Sequence, residues 1–335
     1  MIDWAKGYSA IFYMTRVDPV TWRDTERIEI TGGSISRESS GLRQSADIDC
    51  VDYPEGVEQW VRVWMDVRQD GSHAHEALFT GLATSPDTNI DHGRRSKKLQ
   101  CYSALKPADD VLLRRGWYAP SESDGAELVR QLLSVSPAPI TIEGEPKYLT
   151  SAIVAEMGET NLTMAEAILT AINWHLRIAG DGSIVISPLP ETESAIFDPN
   201  DNDVVETEIA LSADWYDCPN CLMAVADDMT AVARDDSDGA LSTVSRGREV
   251  WSYEDGVDLA DNESIAEYAT RRLRELQRYE RTADYDRRYM PELYPGDLVR
   301  LHYPQVDLQG LYRIESQSIE IGYNCRTAET VTEVN

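Results

Sequence analysis

Between residues 264 and 321 the spacing of apolar positions changes from three-and-four to two, and that change predicts the last elements of the chain. Ile265, Tyr268, Ala269, Leu273, Leu276 and Tyr279 form one apolar stripe. Ser264 and Glu267 precede it as a Ser-x-x-Glu capping box, in which hydroxyl and carboxylate each satisfy a backbone N–H at a helix start. The expected helix runs from 264 to about 281, and Arg271, Arg274, Arg278 and Arg281 gather on another side of it. Such a stripe is either solvated and paired within the chain, the commoner case, or a docking face for an acidic partner, a second copy of this chain included. Tyr294-Pro295-Gly296-Asp297 predicts a turn, because proline fixes φ, glycine accepts a positive φ and aspartate bonds the following backbone. Alternation then predicts strands over 298–303 and 311–321, joined by a turn at 307–310.

Residues 1–105 read as strands throughout. Candidates are 8–15 and 27–31, separated by Asp18-Pro19, then 34–38 after Gly32-Gly33, and 45–50 with one wet face. The alternation is strongest at 60–67, with Trp60, Arg62, Trp64 and Asp66 against Val61, Val63, Met65 and Val67. Asp70-Gly71 predicts a hairpin into 77–83, and 98–103 closes the set. Many short strands with regular turns predict a sandwich or barrel. Trp60 and Trp64 share one strand face, where they serve either as core, the favoured reading, or as an anchor for a neighbouring subunit.

From 106 the period lengthens. Residues 109–113, a short helix or the end of a connection, lead into a helix from Ser123 or Asp124 to 133, a strand at 140–142, a helix opened by a Thr163-Met-Ala-Glu166 capping box, and a hairpin of 174–179 with 183–187, which make a small α+β unit. Residues 188–208 hold seven acids and no base and read as a solvated linker. Strands at 209–215 and 221–226, an acidic loop at 227–239 and a returning strand at 241–250 begin a second β domain. The expected fold is α+β and β-rich: a β-barrel domain at 1–105, a mixed α/β insert at 106–189, and a second barrel at 190–335 that includes the acidic linker 190–208 and the Arg-rich helix 264–281.

Composition narrows the partners. A net charge of −28 opposes general nucleic-acid binding, since a polyanion is repelled. Lys6, Lys97, Lys98, Lys106 and Lys147 are the only lysines among 31 basic residues. Abundant carboxylates with scarce lysine fit adaptation to high salt, or simply an acidic, Arg-preferring genome. With no apolar run of about 18 residues and no basic-then-apolar N-terminus, a soluble protein without a visible export signal is expected, with no membrane partner. The five cysteines make no disulfide framework.

Candidate chemistry is sparse. Cys218-Pro-Asn-Cys221 lacks the second ligand pair of a zinc site and the βαβ setting of a redox motif, which leaves a turn with incidental thiols or a local disulfide. His73 and His75 face one way if extended, beside Glu76, yet they fall at a hairpin tip where polar residues are expected anyway. Residues 198–202 imitate half of an EF-hand loop, but Asp203 and Ile209 replace its glycine and its bidentate glutamate. His175 and His302 lack a sequence-local nucleophile. No P-loop, G-x-S-x-G, H-E-x-x-H or Rossmann glycine set is present. No catalytic, cofactor or metal residue is assigned, and no enzyme is expected.

The capped Arg-rich helix followed by "LYPGDLVRLHYP" and "GLYRIESQSIEIG" resembles the closing part of tail hub proteins of phage-type tails and related injection machines. The "GLRQSADIDC" strand and the "LFTGLATSP" segment are similar to that family's opening barrel. The resemblance implies tail-tube-like barrels, two per chain, so that a homotrimer matches a six-fold tube. It implies a virion-tail location after assembly in the host cytoplasm. The implied partners are the tail tube or distal ring protein, the tape-measure protein, and tail fibre or tip proteins. A distal ring or receptor-binding protein is the nearest alternative, and a tail-associated hydrolase the alternative of another class.

Overall fold

The computed structural model describes residues 2–54, 58–91, 94–198, 204–213, 215–226, 229–257, 264–277, 281–306, 308–322 and 325–334. The chain divides into two compact units, Met1–Ile209 with Asp284–Asn335, and Ala210–Ala283. The boundaries expected at 105 and 189 therefore fall inside the first unit, and the stretch 190–335 is shared between the two.

The first unit opens with β1 (Ser9–Asp18), β2 (Arg23–Ile28), β3 (Ile30–Glu38), β4 (Gln44–Cys50), β5 (Gln59–Gln69), β6 (Ser72–Ala83), β7 (Asp87–Asp91) and β8 (Arg94–Ser103). Alternation in β5 acts as expected: Val61, Val63, Met65 and Val67 are fully buried in one core with Met14, Ile35, Ile48, Leu78 and Leu99. Asp70 and Gly71, both at positive φ, make the tight turn into β6. Gly32 and Gly33 lie inside β3 at a register shift, where they were expected to precede a strand. Gly33 has φ 142°, and an added Cβ would sit 2.2 Å from the Asp47 carbonyl oxygen, so only glycine lets β3 close on β4 here.

The mixed segment follows as α1 (Lys106–Asp110), β9 (Tyr118–Ala119), α2 (Gly125–Leu133), β10 (Ile140–Ile142), β11 (Ile153–Val154), α3 (Asn161–Ile172), β12 (Trp174–Ile178) and β13 (Ile184–Pro188). Asp124 caps α2 by accepting from the Ala126 N–H. The capping box of α3 is Thr160 with Thr163, one turn earlier than expected. Glu166 is thereby free to accept from the Gly41 N–H at 2.9 Å and to pair with Arg43 at 3.3 Å. At the other end, the β12–β13 turn docks on the outer face of β5 and β6. Gly180 O accepts from the Thr80 hydroxyl at 2.8 Å, and Asp181 O accepts from Trp22 Nε1 at 2.9 Å and Arg62 Nη2 at 3.0 Å. The approach is close: a Cβ on Gly180 would lie 1.7 Å from the Ala77 carbonyl oxygen.

Next come β14 (Glu193–Phe197) and β15 (Val205–Ala213). The second unit holds β16 (Cys221–Ala226), β17 (Met229–Arg234), α4 (Thr243–Arg246), β18 (Trp251–Glu254) and α5 (Ile265–Leu276), and the chain closes with β19 (Arg281–Arg288), β20 (Leu298–Tyr303), β21 (Leu308–Glu320) and β22 (Arg326–Glu333). Four expectations change. The acidic linker contributes β14, which pairs in parallel with β20. The acidic loop contains β17. The returning strand at 241–250 is partly the short helix α4, capped by Ser242. Finally, α5 ends at Leu276 and Arg281 opens β19, because burial of Ala283, Tyr285 and Arg287 follows a period of two.

Among the described residues fourteen strands form one sheet, with the path β15-β19-β22-β21-β3-β4-β8-β6-β5-β1-β2 and with β14, β20 and β7 attached beside it. The path has two ends, so no ring of strands closes among the described residues, where two separate barrels were expected. The joint is β21, which pairs with β20 through Leu308–Arg313 and then with β3 through Ser316–Glu320.

Candidate interaction surfaces

Three buried polar groups lock the closing strands. Arg287, Gln317 and Glu329 are each 2% exposed. The Glu329 carboxylate accepts from Arg287 Nη2 and from Gln317 Nε2 at 2.7 Å, while Arg287 Nη1 donates to Arg288 O at 2.7 Å. Charge buried in this way is tolerated only because each ion faces the other and is bonded further. The arrangement holds strands together and presents nothing to a substrate.

The expected arginine face is only partly assembled. Arg271 pairs with Glu275 at 2.8 Å and lies over the Tyr268 ring at 5.1 Å. Arg272, outside the expected set, reaches Glu254 at 2.9 Å, and the Tyr268 hydroxyl donates to the same carboxylate at 2.8 Å. Arg274 is exposed and makes no ion pair among the described residues. Arg278 lies outside the described residues, and Arg281 belongs to β19.

Trp60 and Trp64 separate. Trp60 is 9% exposed and packs at 5.3 Å from Trp22 in the core beneath the mixed segment. Trp64 stays half-buried on the same strand face. Its Nε1 donates to Asp24 at 2.9 Å, and its ring stacks at 3.9 Å on His75. His75 Nδ1 is 2.5 Å from the Asp66 carboxylate. The imidazole at the hairpin is therefore held by stacking and an acid partner.

All five cysteines are free and buried. Cys218 and Cys221 flank Asn220, whose amide donates to Leu241 O and Arg248 O and whose oxygen accepts from the Val250 N–H. The motif is thus a turn fixed by its asparagine. Among the described residues no three His, Cys, Asp or Glu side chains converge as metal ligands, and residues 199–203 of the EF-hand-like stretch lie outside them. His175 is mostly buried, and burial first, then Arg177 and Arg43, lowers its pKa to about 4. His302 is exposed on β20.

One surface escaped the sequence reading. In the second unit β17, β16 and β18 form a three-stranded sheet, and α5 packs through Ala269 and Leu273 on Leu222, Ala224 and Ala233. The opposite face aligns Val232, Met223 and Tyr253 in one row. Val232 is 55% and Tyr253 61% exposed, so this face is apolar and open. The acids around β17 obscure its alternation in the sequence.

No family model matches the sequence, and no curated relative does. Solved structures do match. The 43 kDa tail protein of prophage MuSo2 from Shewanella oneidensis is similar with TM-score 0.66 at 14% identity, covering 98% of this chain and 97% of that one. The fold is shared with prophage tail proteins. A tail protein from Neisseria meningitidis gives TM-score 0.64 at 12% identity over 98% and 97% of the two chains. A chain of the Francisella PdpA–VgrG complex gives 0.57 at 7% identity, over 98% of this chain and 65% of that chain.

Proposed function

We propose that this chain is a non-enzymatic tail hub at the distal end of a virus tail, where three copies adapt a six-fold tube to a three-fold tip and surround the DNA channel. The observation that supports this most is the near end-to-end likeness to two tail proteins. In this reading the two halves of the long sheet act as two barrel-like wall segments per copy. Neighbours along the tail are a tube or distal ring protein, a tape-measure protein, and fibre or tip proteins. The copies form in the host cytoplasm and end in the virion tail. The carboxylate-rich composition fits a virus of a halophilic host, and acids lining a channel would keep DNA from adhering.

Light scattering on the purified chain in low salt and in molar salt tests the reading, because screening removes self-repulsion. A trimer supports the hub. A hexamer moves the assignment to a distal ring protein, and a monomer under both conditions removes self-assembly as the function.

A further inference from the structure

The segment after α1 is pinned to the start of α3: the Leu113 N–H donates to Glu159 O and the Asn161 N–H to Val111 O, each at 2.9 Å. Gly116, at φ 80°, then turns the chain so that the Trp117 N–H reaches Arg114 O at 3.0 Å. Asn161 Nδ2 donates to Leu132 O at 2.9 Å and ties α2 to α3. These walls enclose a groove of about 290 Å³, lined by Leu113, Trp117, Leu128 and Leu132, with Leu112 and Arg114 also bordering it. Leu112 is 63% exposed, and Arg114 and its neighbour Arg115 are exposed without an ion pair among the described residues. The acids close to them are engaged elsewhere. Asp109 and Asp110 share Lys106 at 2.8 and 2.6 Å, Glu159 accepts from the Glu156 N–H at 2.7 Å, and Glu127 on α2 accepts from Arg130 Nε at 2.7 Å. In a chain of 59 acidic and 31 basic residues, two adjacent unmatched arginines beside an apolar groove mark a place for a carboxylate from outside.

We propose that this groove receives a short peptide segment of another protein, which seats two large apolar side chains in it and pairs an adjacent aspartate or glutamate with Arg114. The inference goes beyond the hub reading and does not depend on copy number, because the whole groove belongs to one copy. Volume selects the kind of occupant. An apolar cavity of about 150 Å³ holds one benzene, so the groove has room for two side chains of leucine or aromatic size. It falls just below the roughly 300–1,000 Å³ of small-molecule sites, which favours anchoring side chains over a whole ligand. Charge selects among the macromolecules. A net charge of −28 repels nucleic acid, and it repels a second copy as well, whereas a short segment brings only one or two carboxylates to the arginines. The walls are fixed by their own hydrogen bonds, so binding orders the segment and not the groove.

Selection of random short peptides displayed on phage against the full chain tests the proposal. The expected result is enrichment of peptides that carry two apolar residues beside an acid. By fluorescence anisotropy, a synthetic copy of the most enriched peptide should bind Leu112→Asp and Arg114→Glu about tenfold or more weakly than the parent chain, and replacing its acid by lysine should restore binding to Arg114→Glu. No enrichment, enriched peptides without an acid, unchanged binding to either variant, or a lysine swap that restores nothing overturns the proposal. Both substituted side chains are exposed, so both variants should melt with the parent; where one melts early, Leu112→Ser or Arg114→Gln takes its place with the same expected loss. Light scattering on the same proteins identifies the other occupant: an assembled parent that falls to monomer on Leu112→Asp substitution seats a second copy in the groove and overturns the outside partner.

Discussion

Glu329 offers the sharpest test of how the closing strands are held. Its carboxylate is the counter-charge of Arg287, and both side chains are buried between β19, β21 and β22. Replacing it by Gln keeps the volume but leaves the guanidinium facing a neutral amide. Stranding a buried ion in this way costs about 3–5 kcal/mol, whereas replacing both ions by apolar residues of similar size is often neutral or stabilising. Thermal denaturation followed by tryptophan fluorescence should therefore give Glu329→Gln and Arg287→Met as strongly destabilised single variants, with apparent melting points lowered by roughly 5–9 °C for a unit of this size. The Arg287→Met/Glu329→Leu double variant should return to within about 1 kcal/mol of the parent chain. If the double variant instead loses the sum of the singles, the pair contributes through packing alone and the electrostatic account fails.

Three further outcomes follow from the same structure. His175 has a folded pKa of about 4, below its ordinary value of 6.5, so its contribution is fully present above pH 6.5 and is lost as pH falls toward 4. Allowing for its partial exposure the loss is about 2 kcal/mol, and His175→Gln should flatten the stability profile in that window when urea midpoints are compared at pH 4.5 and 7. Gly180→Ala puts a methyl group against the Ala77 carbonyl and should cost about 3 kcal/mol, read as early proteolysis of the mixed segment in limited digestion. Arg274→Ala, on an exposed side chain with no ion pair among the described residues, should leave the unfolding free energy within about 0.5 kcal/mol of the parent; a larger loss would place Arg274 in an intramolecular role.

Much of the local structure was legible because local chemistry decides it. The alternation of β5, the Asp70-Gly71 turn, the Asp124 cap of α2 and the Ser264–Glu267 box all act within a few residues of where they are read. The box of α3 was misplaced because Thr163, not a glutamate, answers Thr160, while Glu166 is drawn away to Gly41 and Arg43. β14 and β17 were hidden by carboxylates, whose charge suggested solvated coil although both strands find partners elsewhere in the chain. Trp60 and Trp64 looked equivalent by spacing, and only the docking of the β12–β13 turn buries one and leaves the other half-exposed. The joining of β3 to β21 left no trace at all, since pairing across such a separation carries no periodicity.

That long-range joint also governs how the protein must be made. β3 is complete once residue 38 has left the ribosome, yet the strand that covers its second edge begins pairing at Ser316. At translation speeds of roughly 5–20 residues per second, the edge waits about 15–60 s for its partner. During synthesis the early strands thus offer an uncapped template to any other nascent chain nearby, which favours slow folding and premature clumping over quick closure. Expression at reduced temperature with a holdase chaperone should raise the soluble yield of the full chain, and removing residues 316–335 should abolish that rescue, because the strand that ends the wait is then never delivered.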